Sequence, residues 1–136
     1  MKDEGLQRLA GGWHGQEVHP EEVFGEKILC FLEALSREIR QDPETAGKEE
    51  FVTFAFWCRR KHMEQWKKYY QNEVRTGYGM IFHIAPSNIV ALFAYSMVFG
   101  LLSGNGNVIR ISKKIAGEAA PLLKVIDNVM KREEYR

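Results

Sequence analysis

The sequence predicts an α/β protein, with N-terminal helices followed by the first β-α-β-α units of a parallel layer that stays incomplete. Three observations point there. Tyr78 to Ile84 is a short, nearly continuous apolar run, as expected of a strand buried on both faces. Ile89 to Ser103 is apolar almost all round and closes on Gly104-Asn105-Gly106, as expected of a helix deep inside a domain. Ahead of both lie two stretches whose apolar residues recur at helical spacing.

Residues 1–19 are polar, with Gly11-Gly12 and two histidines, and read as a mobile leader. His14 and His19 have no partner at ligand spacing, so they read as exposed histidines, and no metal site is expected. A helical segment spans 20–73. Pro20 suits a first helical turn and Glu21-Glu22 complement the positive end of the helix dipole. Phe24, Ile28, Phe31, Leu32, Leu35 and Ile39 then mark one face, and Asp42-Pro43 stops the helix, because the residue before proline avoids the helical region. A second helix is expected from about Lys48 to Asn72, with Phe51, Phe54, Cys58, His62, Gln65 or Trp66, and Tyr69 on one face.

Residues 74–136 read as a partial nucleotide-binding-type α/β domain. After the Tyr78–Ile84 strand, Pro86-Ser87-Asn88 breaks the chain before the buried helix. Asn107 to Ile111 is a second strand, and Lys114 to Arg132 a further helix interrupted early by Gly117 and Pro121. Two parallel strands are too few for a stable sheet. The chain stops where the next strand is expected, so the layer reads as truncated or split.

Composition narrows the function classes. Lys and Arg total 19 against 18 for Asp and Glu, which argues against a nucleic-acid binder held by phosphate contacts. The mixed aromatic and basic 48–72 stretch reads as an amphipathic helix with a solvated basic face. The helical part of the most apolar stretch is about 14 residues, short of the roughly 20 that span a bilayer, so no membrane span is expected. The first residues, Met1 to Gly5, carry no secretory signal. The two cysteines, Cys30 and Cys58, lack CxxC spacing, which suits a reducing, cytoplasmic setting.

Gly79 to Ser112 carries the chemistry. It places Pro86, Ser87 and Asn88 at the carboxyl end of a parallel strand, the edge where ligands bind in open α/β sheets. An asparagine there can donate its amide to a developing oxyanion, and Arg110 in the next strand can aim a positive charge at the same edge. From spacing alone Asn88 reads rather as a helix cap and Arg110 as a surface ion-pair member. Gly104-Asn105-Gly106 is no dinucleotide fingerprint, because it follows a helix and leads into a strand, the reverse of the required order.

His83-Ile84-Ala85-Pro86-Ser87-Asn88, Phe93-Ala94-Tyr95-Ser96-Met97-Val98-Phe99-Gly100-Leu101-Leu102-Ser103-Gly104-Asn105 and Val108-Ile109-Arg110-Ile111-Ser112 together resemble the aldehyde dehydrogenase superfamily. Within it, they resemble the acyl-CoA reductase family typified by the fatty acyl reductase subunit of bacterial luminescence. Upstream, Ala55-Phe56-Trp57-Cys58-Arg59-Arg60 looks like the helix preceding the fold in that family, and the clear match runs over roughly residues 50 to 115.

The resemblance implies an aldehyde-dehydrogenase-like Rossmann domain, of which this chain holds the N-terminal part. It implies reduction of an acyl-CoA or acyl-protein thioester to an aldehyde through a cysteine thioester. The cysteine would lie beyond residue 136, with Cys30 and Cys58 left as buried helix residues, so the chain alone is expected to be inactive. By the same resemblance Asn88 is the catalytic asparagine, and Ile84, Pro86, Ser87, Arg110, Ser112 and Lys113 lie against the cofactor. Lys113 stands where NAD-preferring relatives often carry a glutamate. With Arg110 it implies NADP(H), NAD(H) being the alternative. An acyl-activating ligase, an oligomer or a complementing C-terminal half are the partners implied. The contrasting reading is a non-catalytic remnant or protein-interaction module. A split or truncated enzyme fragment is expected to expose apolar surface near residues 78 to 112 and to be poorly stable or self-associating, whereas a stand-alone module is expected to unfold cooperatively as a monomer.

Overall fold

The computed structural model describes residues 5–70 and 74–136. The first four residues of the leader, the expected end of the second helix at Asn72 and the boundary at 73 lie outside them.

The chain is α/β, with helices ahead of and around a small parallel two-stranded sheet. Helix α1 (Glu26–Gln41) is central and buries Leu29, Leu32, Leu35 and Ile39. A short α2 (Pro43–Ala46) follows, its first turn capped by the Asp42 carboxylate, which accepts the Glu44 N–H at 2.8 Å. Helices α3 (Glu49–Trp57) and α4 (Arg60–Lys67) come next, and a 3-10 turn covers Lys68–Tyr70. Strand β1 (Met80–Ile84), helix α5 (Leu92–Leu102), strand β2 (Gly106–Arg110) and helix α6 (Lys113–Met130) complete the layer. α1 packs against α3, α4, α5 and α6. Each fully buried Leu, Phe or Met contributes about 1.5–3 kcal/mol to this assembly.

Helix α5 lies between the sheet and the N-terminal helices. Tyr95 meets Phe54 and Trp57 with ring centroids 5.0 and 4.9 Å apart, while Gly100 backs directly onto Asn107 of β2. Partners on both sides explain its apolar circumference.

The first helix starts later than Pro20. Glu21 N–H donates to the Gly104 carbonyl at 2.9 Å and Phe24 N–H to the Leu102 carbonyl at 2.8 Å. Residues 20–25 thus satisfy carbonyls at the end of α5, which the C-terminus of a helix leaves unpaired. Phe24 takes a positive φ of 53° to do so, and its buried ring stacks on Tyr70.

The expected second helix is two helices. Arg59 is extended (φ −59°, ψ 140°), and the Glu33 carboxylate of α1 accepts the Arg60 N–H at 2.6 Å, starting α4 afresh. The buried face moves accordingly: Phe51, Phe54 and Cys58 are buried as expected, but Met63 replaces His62 inside, and Tyr69 is exposed.

The Tyr78–Ile84 run is not buried on both faces. α5 covers the side bearing His83 and Asn107, but Tyr78, Phe82 and Ile84 are 95%, 62% and 69% exposed, because no second layer covers that face among the described residues. Apolar surface between residues 78 and 112 is thus present. α6 runs through Gly117 and Pro121 without a break. The bond that Pro121 cannot donate would go to the carbonyl of exposed Gly117, which water can serve.

The leader touches the body at several described points, Ala10 packing against the hydrophobic core. Gly11 N–H donates to the Asp127 carboxylate of α6 at 3.0 Å, and Val18 sits over Gly79 and Gly106. Lys131 and then the Gly11 N–H hold the Asp127 carboxyl below the usual carboxylate range. A carboxyl lowered in the folded state stabilises it above its unfolded pKa and loses that contribution as pH falls through the lowered value. Asp127→Ala, or acidification below the ordinary carboxylate range, is therefore expected to shift the Gly11 amide resonance toward its unfolded position while the α1 resonances stay put. An unmoved Gly11 signal would refute the tether.

Candidate functional site

Parallel register places the site. Ile84 pairs with Arg110, and the ladder continues one step as Ala85 N–H donates to the Arg110 carbonyl at 3.1 Å. The two strands therefore end together. The turn 86–91 leaves β1 at the same level at which Ile111 and Ser112 lead from β2 into α6. Ile84, Pro86, Ser87 and Asn88 stand on one side of that edge, and Arg110, Ser112 and Lys113 on the other. The register thus brings together all seven residues named from the sequence.

Ser112 caps α6, its hydroxyl oxygen accepting the Lys114 N–H at 3.2 Å. Lys113 is the first residue of that helix, so Arg110, Lys113 and the positive end of the α6 dipole share one edge. Arg110 and Lys113 are exposed, and no ion pair engages either among the described residues. Asn88 is exposed and does not cap α5, whose N-cap is Ala91 with no side-chain cap at all. The turn therefore leaves the Asn88 amide without a partner among the described residues, beyond the same strand ends that carry Arg110 and lead to Lys113. Such an edge can receive an anionic group and polarise a carbonyl oxygen.

The cysteines stand apart. Cys58, at the end of α3, is fully buried, and burial alone pushes its thiol well up, which disfavours the thiolate. Cys30, half-buried on α1, has its sulfur 3.4 Å from a Glu26 carboxylate oxygen and 3.5 Å from Arg60 Nη1. Neither is on the strand edge. Among the described residues no group of three or more His, Cys, Asp or Glu could hold a metal ion, and no helix is long and apolar enough to cross a membrane.

Three residues matter here that the sequence reading passed over. Buried Asn105 accepts the Tyr78 and Gly79 N–H groups at 2.5 and 3.0 Å, fixing the entry to β1 against the α5–β2 turn. Asn107 accepts from His83 Nε2 at 2.7 Å and donates to the Asn105 carbonyl at 3.1 Å, locking the strands' covered face. Glu50 of α3 accepts the Ala91 N–H. The Gly104-Asn105-Gly106-Asn107 string held a signal for the first two, since two asparagines around a glycine turn suit side chain-to-backbone bonding.

A family model described as acyl-CoA reductase (LuxC) matches residues 32–133, well over half of the chain. Neither the comparison with curated proteins nor that with solved structures yields a match.

Proposed function

The chain belongs to the acyl-CoA reductase (LuxC) family, and from that membership we propose that it forms the thioester-binding and cofactor-binding edge of a reductase that converts an acyl thioester to an aldehyde. One observation carries the assignment to this edge: the pairing of Ile84 with Arg110, which sets an unpaired guanidinium beside the Asn88 turn and the start of α6.

In the proposed reaction a cysteine thiolate attacks the thioester carbonyl, the carbon–sulfur bond of the donor breaks, and the donor thiolate leaves. Asn88 donates its side-chain amide to the carbonyl oxygen as that oxygen gains negative charge. NADPH, when bound, supplies the hydride that releases the aldehyde from the enzyme thioester. Ile84 and Pro86 offer an apolar wall beside Ser87, while Arg110, Ser112 and Lys113 fit the anionic end of the nucleotide. The fit rests on the absence of any competing carboxylate on the two cations, since a carboxylate at position 113 would repel a 2′-phosphate. The buried, thiol-favouring setting of Cys58 and the place of Cys30 on α1 make neither the nucleophile. In this reading the cysteine comes from polypeptide outside these 136 residues, and the Rossmann-type sheet is completed there. The acyl donor, free or delivered by an acyl-activating ligase, meets the edge from the solvent side. A cytoplasmic setting suits the two unpaired thiols.

Binding of NADPH and NADH to the chain, followed by fluorescence, tests the cofactor half. The double variant Arg110→Ala/Lys113→Ala is expected to weaken NADPH about 10–100-fold, as the loss of one to two charge-assisted bonds implies, and NADH far less. Equal losses for both would remove the 2′-phosphate from the reading.

The exposed Tyr78, Phe82 and Ile84 favour a second reading, a non-catalytic interaction module. It expects a protein partner on that face and no binding of either nucleotide.

A further inference from the structure

We propose that Glu50 is a positioning residue that holds the Asn88 turn from the N-terminal helices; its catalytic consequence rests on the oxyanion role given to Asn88 above. The turn from Pro86 to Ala91 is irregular, and a donor there is useful only if its backbone is held still. Among the described residues, two hydrogen bonds tie the stretch from Ala85 to Ala91 to elements other than α5, the helix it leads into. Ala85 N–H donates to the Arg110 carbonyl at 3.1 Å, and Ala91 N–H donates to Glu50 Oε1 at 2.5 Å. Asn88 lies midway between these anchors.

Glu50 is suited to this place for two independent reasons. α5 has no side-chain cap of its own, so the N–H of fully buried Ala91 would otherwise be an unpaired donor at a helix start. The carboxylate also sits in the first turn of α3, so the positive ends of two helices, α3 and α5, converge on one negative charge. Phe51, fully buried next in sequence, anchors the helix that carries it, and Val90, Lys48 and Glu118 complete a small 70 Å³ hollow around the contact. Lys48 is turned over the Phe51 ring, 5.4 Å from its centroid.

The test uses the whole chain for amide exchange and the reductase containing it for turnover. In amide hydrogen exchange, Glu50→Ala is expected to speed exchange at Ala91 about tenfold or more, as loss of a bond to a charged acceptor implies. The Asn88 side-chain amide signals move with it, while Leu32 and Leu35 in α1 keep their protection. Glu50→Gln, which keeps an acceptor oxygen, restores most of the protection. Unchanged exchange at Ala91, or an equal loss at Leu32 and Leu35, overturns the proposal, the latter by showing a general effect on stability. In acyl-thioester reduction with NADPH by the reductase containing this chain, Glu50→Ala lowers kcat about tenfold with KM for NADPH little changed, and Glu50→Gln recovers it. If the reductase containing this chain, unsubstituted, reduces no thioester with either nucleotide, the reductase reading fails, and the exchange data alone decide the anchor.

Discussion

Alanine at Asn88 is expected to lower the turnover of an acyl thioester by about 10²–10³-fold, the range seen when one oxyanion donor is removed. Asn88 is exposed and engaged by no described partner, so truncation opens no cavity in the core and leaves the fold intact. Its amide gains strength only as charge builds on the carbonyl oxygen, so the loss belongs in kcat, and NADPH affinity should change about twofold at most. NADPH oxidation by the reductase containing this chain, measured across acyl-thioester concentrations, separates the two effects. A rise in KM with kcat unchanged would make Asn88 a ground-state contact and move the oxyanion donor elsewhere. Asn88→Asp is the sharper companion, because a carboxylate replaces the donor with an acceptor of like charge and should fall at least as far as alanine.

What could be read from the residues beforehand divides along range. The order strand, buried helix, strand, helix was legible because each signal is local: an apolar run too short for a helix, a segment apolar all round, a glycine at a left-handed cap. That the two strand ends share one edge was legible for a related reason, since the ends of a parallel pair lie together once the register is set, whereas the roles given to the seven residues there came from the resemblance. Four features were not. The helix break at Arg59 falls inside unbroken periodicity, and what starts α4 is a carboxylate on α1. Pro20-Glu21-Glu22 has every mark of a helix start, yet its backbone is drawn to α5 carbonyls far along the chain. Burial of Phe82 and Ile84 depends on a layer that the run itself cannot specify. Glu50 has a complete local explanation as an acidic first-turn residue, which hides its bond to Ala91, 41 positions away.

The reading of those α5 carbonyls leads to the largest structural effect expected, at Gly104. Its φ of +79° lies in the left-handed region, which costs a residue with a side chain about 1–2 kcal/mol. A Cβ there would also lie 2.1 Å from the Glu21 carbonyl oxygen. Backbone, unlike a flexible side chain, cannot swing aside. Retreat would break the Glu21 N–H to Gly104 carbonyl bond at 2.9 Å and push Gly104 away from Gly77, whose own Cβ position is 2.4 Å from the Gly104 oxygen. Overpacking of this kind costs a further 1–3 kcal/mol or so, and Gly104→Ala is expected to destabilise the fold by roughly 2–5 kcal/mol in urea unfolding. Gly117→Ala is the matched control. It sits inside α6 with open space around its Cβ position and an ordinary φ, so the same substitution should stabilise by about 0.5–1 kcal/mol. Opposite signs at the two positions would show that the 20–25 segment is clamped onto the end of α5. A loss at Gly104 no larger than about 0.5 kcal/mol, the usual range of surface changes, would mean that the clamp is loose enough to yield.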